Sequence, residues 1–226
     1  MLVQIYEVQT PEEAMALSAL GVDHIGVLVG EGAFPRELPA EQVLAIFAAT
    51  PARSRRVALS LSPDLTEVLR VIRETRPDII QVQASIEDLP PASLREVKAR
   101  YPQVAIMRAI PIVDAGCVEV ARSHLGVADF LLLDSYDPQS RQFGALGRAH
   151  DWALSRRVVD EVRIPAILAG GLGPDNVAQA IAVAGPAGVD SKTRTDRADG
   201  RAKDLDKVRE FVRAATRMAP GAAAAG

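Results

Sequence analysis

The sequence predicts an α/β protein, a single (β/α)8 TIM barrel, and three observations carry that prediction. Short apolar runs alternate strictly with helical patterns from one end of the chain to the other. Eight of each fit into 226 residues, a length at which such barrels commonly form one unit. The runs are β-branched and continuously apolar rather than alternating, as parallel strands covered on both faces require. Strict β/α alternation at this length favours a closed barrel over an open sheet.

The first run is Leu2–Tyr6. Thr10-Pro11-Glu12-Glu13 then supplies an N-cap, a proline at the first helical position and a capping-box glutamate, and Gly21 is placed to end that helix. His24–Val29 follows, with a helix near Ala40–Ala49. After Val57–Ser60, Ser62-Pro63-Asp64 opens the third helix. The later runs are Ile79–Val82, Val104–Met107, Phe130–Leu133, Pro165–Ala169 and Gly188–Asp190. Helical segments at Leu94–Arg100, Val118–His124, Asp151–Val162, Asp175–Val183 and Asp204–Arg217 alternate with them. The barrel is expected over residues 1–218, and the Ala/Gly-rich tail 219–226 is expected to be disordered.

Composition narrows the function classes. Hydrophobic residues make up 48% and charged residues 24%, enough for a sizeable core. A net charge of −3 gives no footprint for nucleic acid or an anionic membrane. The lone Cys117 forms no internal disulfide and builds no cysteine metal site. No apolar run approaches the ~18 residues of a membrane-spanning helix, and no leader pattern opens the chain. A cytoplasmic protein is the expectation.

A barrel places its chemistry at the C-terminal ends of the strands and in the loops that follow. The most specific stretch there is Ile167-Leu168-Ala169-Gly170-Gly171-Leu172-Gly173-Pro174-Asp175-Asn176. A strand runs into paired glycines and then a helix start, where backbone can approach an anion closely. Gly170 and Gly171 are therefore candidates for a phosphate cradle; a tight turn with glycines for packing is the plain alternative. The eighth run leads into Ser191-Lys192-Thr193-Arg194-Thr195-Asp196, whose hydroxyls and cations suit the other half of such a site or, more simply, a polar surface loop. Asp134 ends an otherwise apolar strand, so its carboxyl is either a general acid or base at the mouth or a cap for the next loop. The stretch from Ser135 to His150 is long for a compact barrel, and Gly144 and Gly147 make it a candidate lid.

Several motifs together are similar to one family. These are Leu131-Leu132-Leu133-Asp134-Ser135, Gly144 with Gly147-Arg148, Asp151-Trp152, the segment from Leu168 to Val177, and Gly188-Val189-Asp190. The chain resembles phosphoribosylanthranilate isomerase of tryptophan biosynthesis over nearly its whole length. Thr10–Ala14, Pro35-Arg36, Ser62-Pro63-Asp64, Gln81-Val82 and Lys203-Asp204-Leu205 also fall where that family places similar residues. The resemblance implies a (β/α)8 isomerase performing an Amadori rearrangement on a phosphoribosylated aromatic amine, with no cofactor. It implies Asp134 as general acid on the ribose ring oxygen and Arg36 as a ligand of the anthranilate carboxylate. Gly170, Gly171 and the loop with Lys192, Thr193 and Arg194 would hold the phosphate, and Gln81 and Asp190 would line the site. Resembling proteins occur as monomers and as homodimers.

The departures concentrate at the mouth. Where the family's first strand ends in lysine, isoleucine, cysteine and glycine, with the cysteine as general base, this chain has Gln4-Ile5-Tyr6-Glu7. A neutral tyrosine with a pKa near 10 is a poor base. Tyr6 is then a hydrogen-bond donor to substrate, a stacking surface or barrel filling, and Glu7 is a replacement carboxylate base or a loop cap. The fourth strand's histidine and glycine become Gln83-Ala84, and the lid's threonine and phenylalanine become Leu146 and His150. His150 is a candidate substrate contact, whereas His24 and His124 are expected to be structural. No His/Asp/Glu cluster has metal-ligand spacing, so no metal is expected. Two function classes follow: an enzyme on a small phosphorylated sugar (the family reaction, or a divergent isomerase, epimerase or lyase) and a non-catalytic barrel that binds a phospho-ligand.

Overall fold

The computed structural model describes residues 1–137, 142–143 and 150–217, with backbone only for 142–143. The features expected at Gly144, Leu146, Gly147, Arg148 and the tail 219–226 lie outside the described residues.

Eight parallel strands close into a barrel. They are β1 (Leu2–Ile5), β2 (His24–Leu28), β3 (Arg55–Ser60), β4 (Ile79–Val82), β5 (Ala105–Pro111), β6 (Phe130–Asp134), β9 (Ala166–Leu168) and β10 (Gly188–Ser191). The helices between and after them are α1 (Pro11–Ala19), α2 (Ala40–Ala49), α3 (Leu65–Thr75), α4 (Pro91–Arg100), α5 (Cys117–Arg122), α6 (Trp152–Glu161), α7 (Val177–Ala184) and α8 (Leu205–Arg217). β1 pairs with both β2 and β10, which closes the ring and leaves no exposed sheet edge.

The local signals act as their chemistry requires. The Thr10 hydroxyl caps α1 by accepting from the Glu13 amide at 3.1 Å, and the Glu13 carboxylate accepts from the Gln9 amide at 2.8 Å. Asp64 and Asp151 cap α3 and α6 in the same way. Two apolar compartments result. One fills the lumen with Val57, Leu59, Ile79, Met107, Leu132 and Ile167 among others, and the larger one lies between the strands and the helices.

Two features depart from the sequence reading. The fifth strand does not stop at Met107 but runs on to Pro111. Arg108 interrupts the apolar pattern yet is fully buried, because its guanidinium donates to the Val82 and Ala84 carbonyls past the end of β4. The stretch after β6 is not a plain loop: β7 (Tyr136–Asp137) pairs antiparallel with β8 (Gln142–Phe143).

Candidate active site

The strand ends converge on one cavity at the mouth. Tyr6 and Glu7 enter it from β1, Gln81 from β4 and Asp134 from β6. Gly170 and Gly171 enter from the turn after β9, and Asp190, Lys192, Thr193 and Arg194 from β10 and its loop. Of the described site residues singled out in the sequence, Arg36 and His150 do not line the cavity; Arg36 lies behind Glu7.

Asp134 ends β6 and is 6% exposed. The Ser135 amide donates to its Oδ1 at 2.7 Å and works to keep it ionised, but loss of water dominates and lifts the carboxyl from 3.8 to about 6. Asp190, on β10, is lifted to about 8. Burial is again the main cause and the neighbouring Asp134 carboxyl adds to it, against the Gln4 amide and the Lys203 ammonium. The Asp190 Oδ1 is buried and makes no hydrogen bond.

Tyr6 directly follows β1 and is buried. Its hydroxyl donates to Gln81 Oε1 at 2.6 Å, and Gln81 Nε2 donates in turn to Gln83 Oε1 at 2.8 Å. Burial, with Asp190 close by, holds the phenol well above 10, so it stays a neutral donor at any working pH. Gly26 faces the ring: a Cβ there would come within 2.5 Å of it, so the tyrosine is accommodated by a glycine on the adjacent strand.

Glu7 follows with φ +60°, a backbone region that favours glycine. Its carboxylate reaches into the mouth but lies between two cations, 3.0 Å from Lys192 Nζ and 3.4 Å from Arg36 Nε. Arg36 is itself at φ +69°. Its guanidinium also donates to the Glu7 carbonyl and to Gly200 O, and lies 3.1 Å from Asp196. Asp196 in turn accepts from Lys203 Nζ at 2.6 Å. A continuous charge network therefore backs this side of the mouth: Lys192, Glu7, Arg36, Asp196, Lys203. The arginine expected as a free carboxylate ligand is already paired, and the carboxylate expected as a free base is already clamped.

The opposite side is built from backbone. Gly170 and Gly171 have φ of +81° and +63°. A Cβ on Gly170 would come within 2.8 Å of His150 Nδ1 and 3.4 Å of Asp134 Oδ1, so the glycine admits both side chains. Asn176 ties the turn together, donating to Gly171 O at 3.0 Å and accepting from the Gly173 amide at 2.8 Å. Arg194 crosses the turn to pair with Asp175 at 2.6 Å, and the Ser191 hydroxyl donates to Leu172 O. His150 shares a 2.7 Å hydrogen bond with Ser155, and burial brings it down to about 4, so it is neutral at pH 7. His24 is a lumen residue bonded to Gln4 and set edge-on to Phe130, and His124 bonds the Val120 carbonyl. Among the described residues no group of three or more His, Cys, Asp or Glu side chains is arranged to hold a metal ion. No helix of the described residues is long and apolar enough to cross a membrane.

Sequence reasoning missed Lys203, Asp196 and Asn176 as parts of the site. Lys203 was visible only as a family-like position; nothing in its neighbourhood marks a lysine destined for complete burial.

A family model described as N-(5'-phosphoribosyl)anthranilate (PRA) isomerase matches residues 3–214. The chain belongs to that family. Among curated relatives, an N-(5'-phosphoribosyl)anthranilate isomerase of Methanocella arvoryzae is 39% identical over 93% of this chain and 95% of its own length. One of Haloferax volcanii is 34% identical over 97% and 95%. The solved structure of the Pyrococcus furiosus N-(5'-phosphoribosyl)anthranilate isomerase superposes with a TM-score of 0.78 at 26% identity, covering 96% of this chain and 99% of that one.

Proposed function

We propose that this chain isomerises N-(5'-phosphoribosyl)anthranilate to the corresponding 1-amino-1-deoxyketose phosphate. The observation that carries this reading is Asp134, a buried carboxyl lifted to about 6 that sits beside the glycine turn in a mouth otherwise suited to a phosphorylated sugar. Its proton goes to the ribose ring oxygen. The C1–O bond breaks while the nitrogen lone pair forms the C1=N iminium, and loss of the C2 proton then gives an enolamine that tautomerises to the ketone. The rearrangement only moves protons and electron pairs within the substrate.

Gly170, Gly171, Thr193, Lys192 and Arg194 are assigned to the phosphate, where cations and backbone converge. Arg36 reaches the aromatic carboxylate only if that carboxylate takes the place of Glu7 on the guanidinium. Glu7 is assigned to holding Arg36 and Lys192 in position, and Tyr6 with Gln81 to orienting the sugar. All lining residues come from one barrel, so a monomer suffices and a homodimer is compatible. A cytoplasmic setting fits the free, buried Cys117.

The experiment is direct turnover of phosphoribosylanthranilate, followed by its fluorescence, together with rescue of a tryptophan auxotroph blocked at this step. Asp134→Asn is expected to lower kcat by about 10² to 10⁴. A folded wild-type chain that neither turns the compound over nor rescues growth sinks the reading. A rise in thermal stability with sugar phosphates and no turnover would instead mark a binding protein.

A further inference from the structure

We infer that Asp190 is the proton acceptor that stands in for the thiol missing from β1, with Asp134 and Asp190 passing one proton between them in each turnover. The inference rests on the isomerase reading above and assigns the step that reading leaves without a residue.

The other acceptors at the mouth are spoken for. The Tyr6 hydroxyl already donates to Gln81 at 2.6 Å and is held neutral. The Glu7 carboxylate is held between Lys192 at 3.0 Å and Arg36 at 3.4 Å. His150 uses one ring nitrogen on Ser155, and Cys117 is on α5, away from the cavity. Asp190 lines the cavity and its Oδ1 is buried with no hydrogen-bond partner; Glu7 Oε2 is likewise without one but lies 3.4 Å from Arg36 Nε, and the unbonded His150 Nδ1 belongs to a side chain that does not line the cavity. A buried acceptor without a donor is costly to keep, so such an atom at a reaction site calls for a use.

The barrel register places it correctly. Leu133 of β6 and Val189 of β10 both pair with Leu168 of β9. One residue further along, Asp134 and Asp190 flank the small Ala169. They come from alternate strands, and inward residues of alternate strands share a layer. On its other side Asp190 is level with Gln4 of β1, the strand from which the family supplies its base. The acceptor has therefore moved by one strand, onto the set of alternate strands that carries the acid.

The charged and titratable groups around Asp190 are Asp134, Glu7, Lys203 and Tyr6. Two neighbouring buried carboxyls do not both ionise cheaply, so near neutral pH the pair holds one proton. Asp190 has the higher proton affinity of the two, so the reactive form is the one in which the proton has passed to Asp134: the acid then protonates the ring oxygen and the ionised Asp190 takes the C2 proton from the iminium. The pair ends the turnover with one proton again, now on Asp190, and transfer across the layer restores the starting form.

The test compares Asp190→Asn with Glu7→Gln, using substrate carrying deuterium at C2. Asp190→Asn is expected to lower kcat by about 10² to 10⁴ and to raise the isotope effect on kcat, because C2–H cleavage becomes limiting. Its KM should stay within a few-fold, whereas Glu7→Gln should act mainly on KM. The wild-type kcat profile should be bell-shaped, and Asp190→Asn should lose one limb; Asp190→Glu, which restores a carboxyl, should recover that limb even if the Asn variant is poorly folded. An active wild type with Asp190→Asn within threefold in kcat, or with the isotope effect rising in Glu7→Gln instead, overturns the inference and leaves the isomerase reading standing. A wild type with no turnover overturns both.

Discussion

The two flanks of the mouth solve the same backbone problem differently. On the β9 flank the chain turns through left-handed conformations with glycines, Gly170 and Gly171, and a single asparagine side chain ties the turn. On the β1–β2 flank it turns through the same region with Glu7 and Arg36, side chains that disfavour it at a cost of about 1 kcal/mol or more each. What holds the second flank is charge: Glu7, Arg36, Lys192, Asp196 and Lys203 form one partly buried network. One flank is set by what its residues lack, the other by what its residues attract.

Removing the buried end of the network should break the charged flank. Lys203 is fully buried against Asp196, so Lys203→Met leaves a buried carboxylate with only Arg36 beside it. A loss of about 3 kcal/mol in urea unfolding is expected. On the glycine flank, Gly170→Ala forces a side chain onto φ +81° and into His150. It should cost about 1 to 3 kcal/mol and abolish the rise in Tm with inorganic phosphate.

Between the flanks, the two lumen carboxyls give a pH signature that neither flank shares. Both titrate above the ordinary 3.8 in the fold, Asp134 at about 6 and Asp190 at about 8. The folded chain then holds more protons than the unfolded one, so their contribution is complete below pH 4 and lost as pH rises through those values. His24 and His150, lowered to about 4, act oppositely and only below their ordinary 6.5. Tm should therefore fall by a few degrees between about pH 7 and 9, and Asp190→Asn should flatten that fall. The smallest effect is expected at Arg194, whose pair with Asp175 is largely exposed. Arg194→Ala should change stability by no more than about 1 kcal/mol while weakening phosphate binding.

Much of this was legible in the residues. Continuous β-branched runs, the Thr10 and Asp64 caps and the glycine pair are local signals, and each acts within a few residues of itself. The strand-end rule then selected Asp134 and Lys192, and the family resemblance added Asp190, before any geometry was known. The fifth strand was read too short because Arg108 breaks the apolar pattern, and the carbonyls that receive it, Val82 and Ala84, belong to another strand's end. Glu7 and Arg36 were recognised as site candidates, but their pairing joins residues 29 apart and was invisible along the chain.

The sequence by itself determined the barrel, the position of its mouth and the inventory of groups found there, because periodicity, capping and turn chemistry operate over a few residues. Only the tertiary structure decided which of those groups remain available. It set Tyr6 on Gln81, closed Glu7 between two cations, and left Asp190 buried with its Oδ1 without a donor. Partnering, burial and the resulting proton affinities depend on distance through space, and in a closed barrel the nearest neighbour of a strand end lies one or two whole β/α units away in sequence.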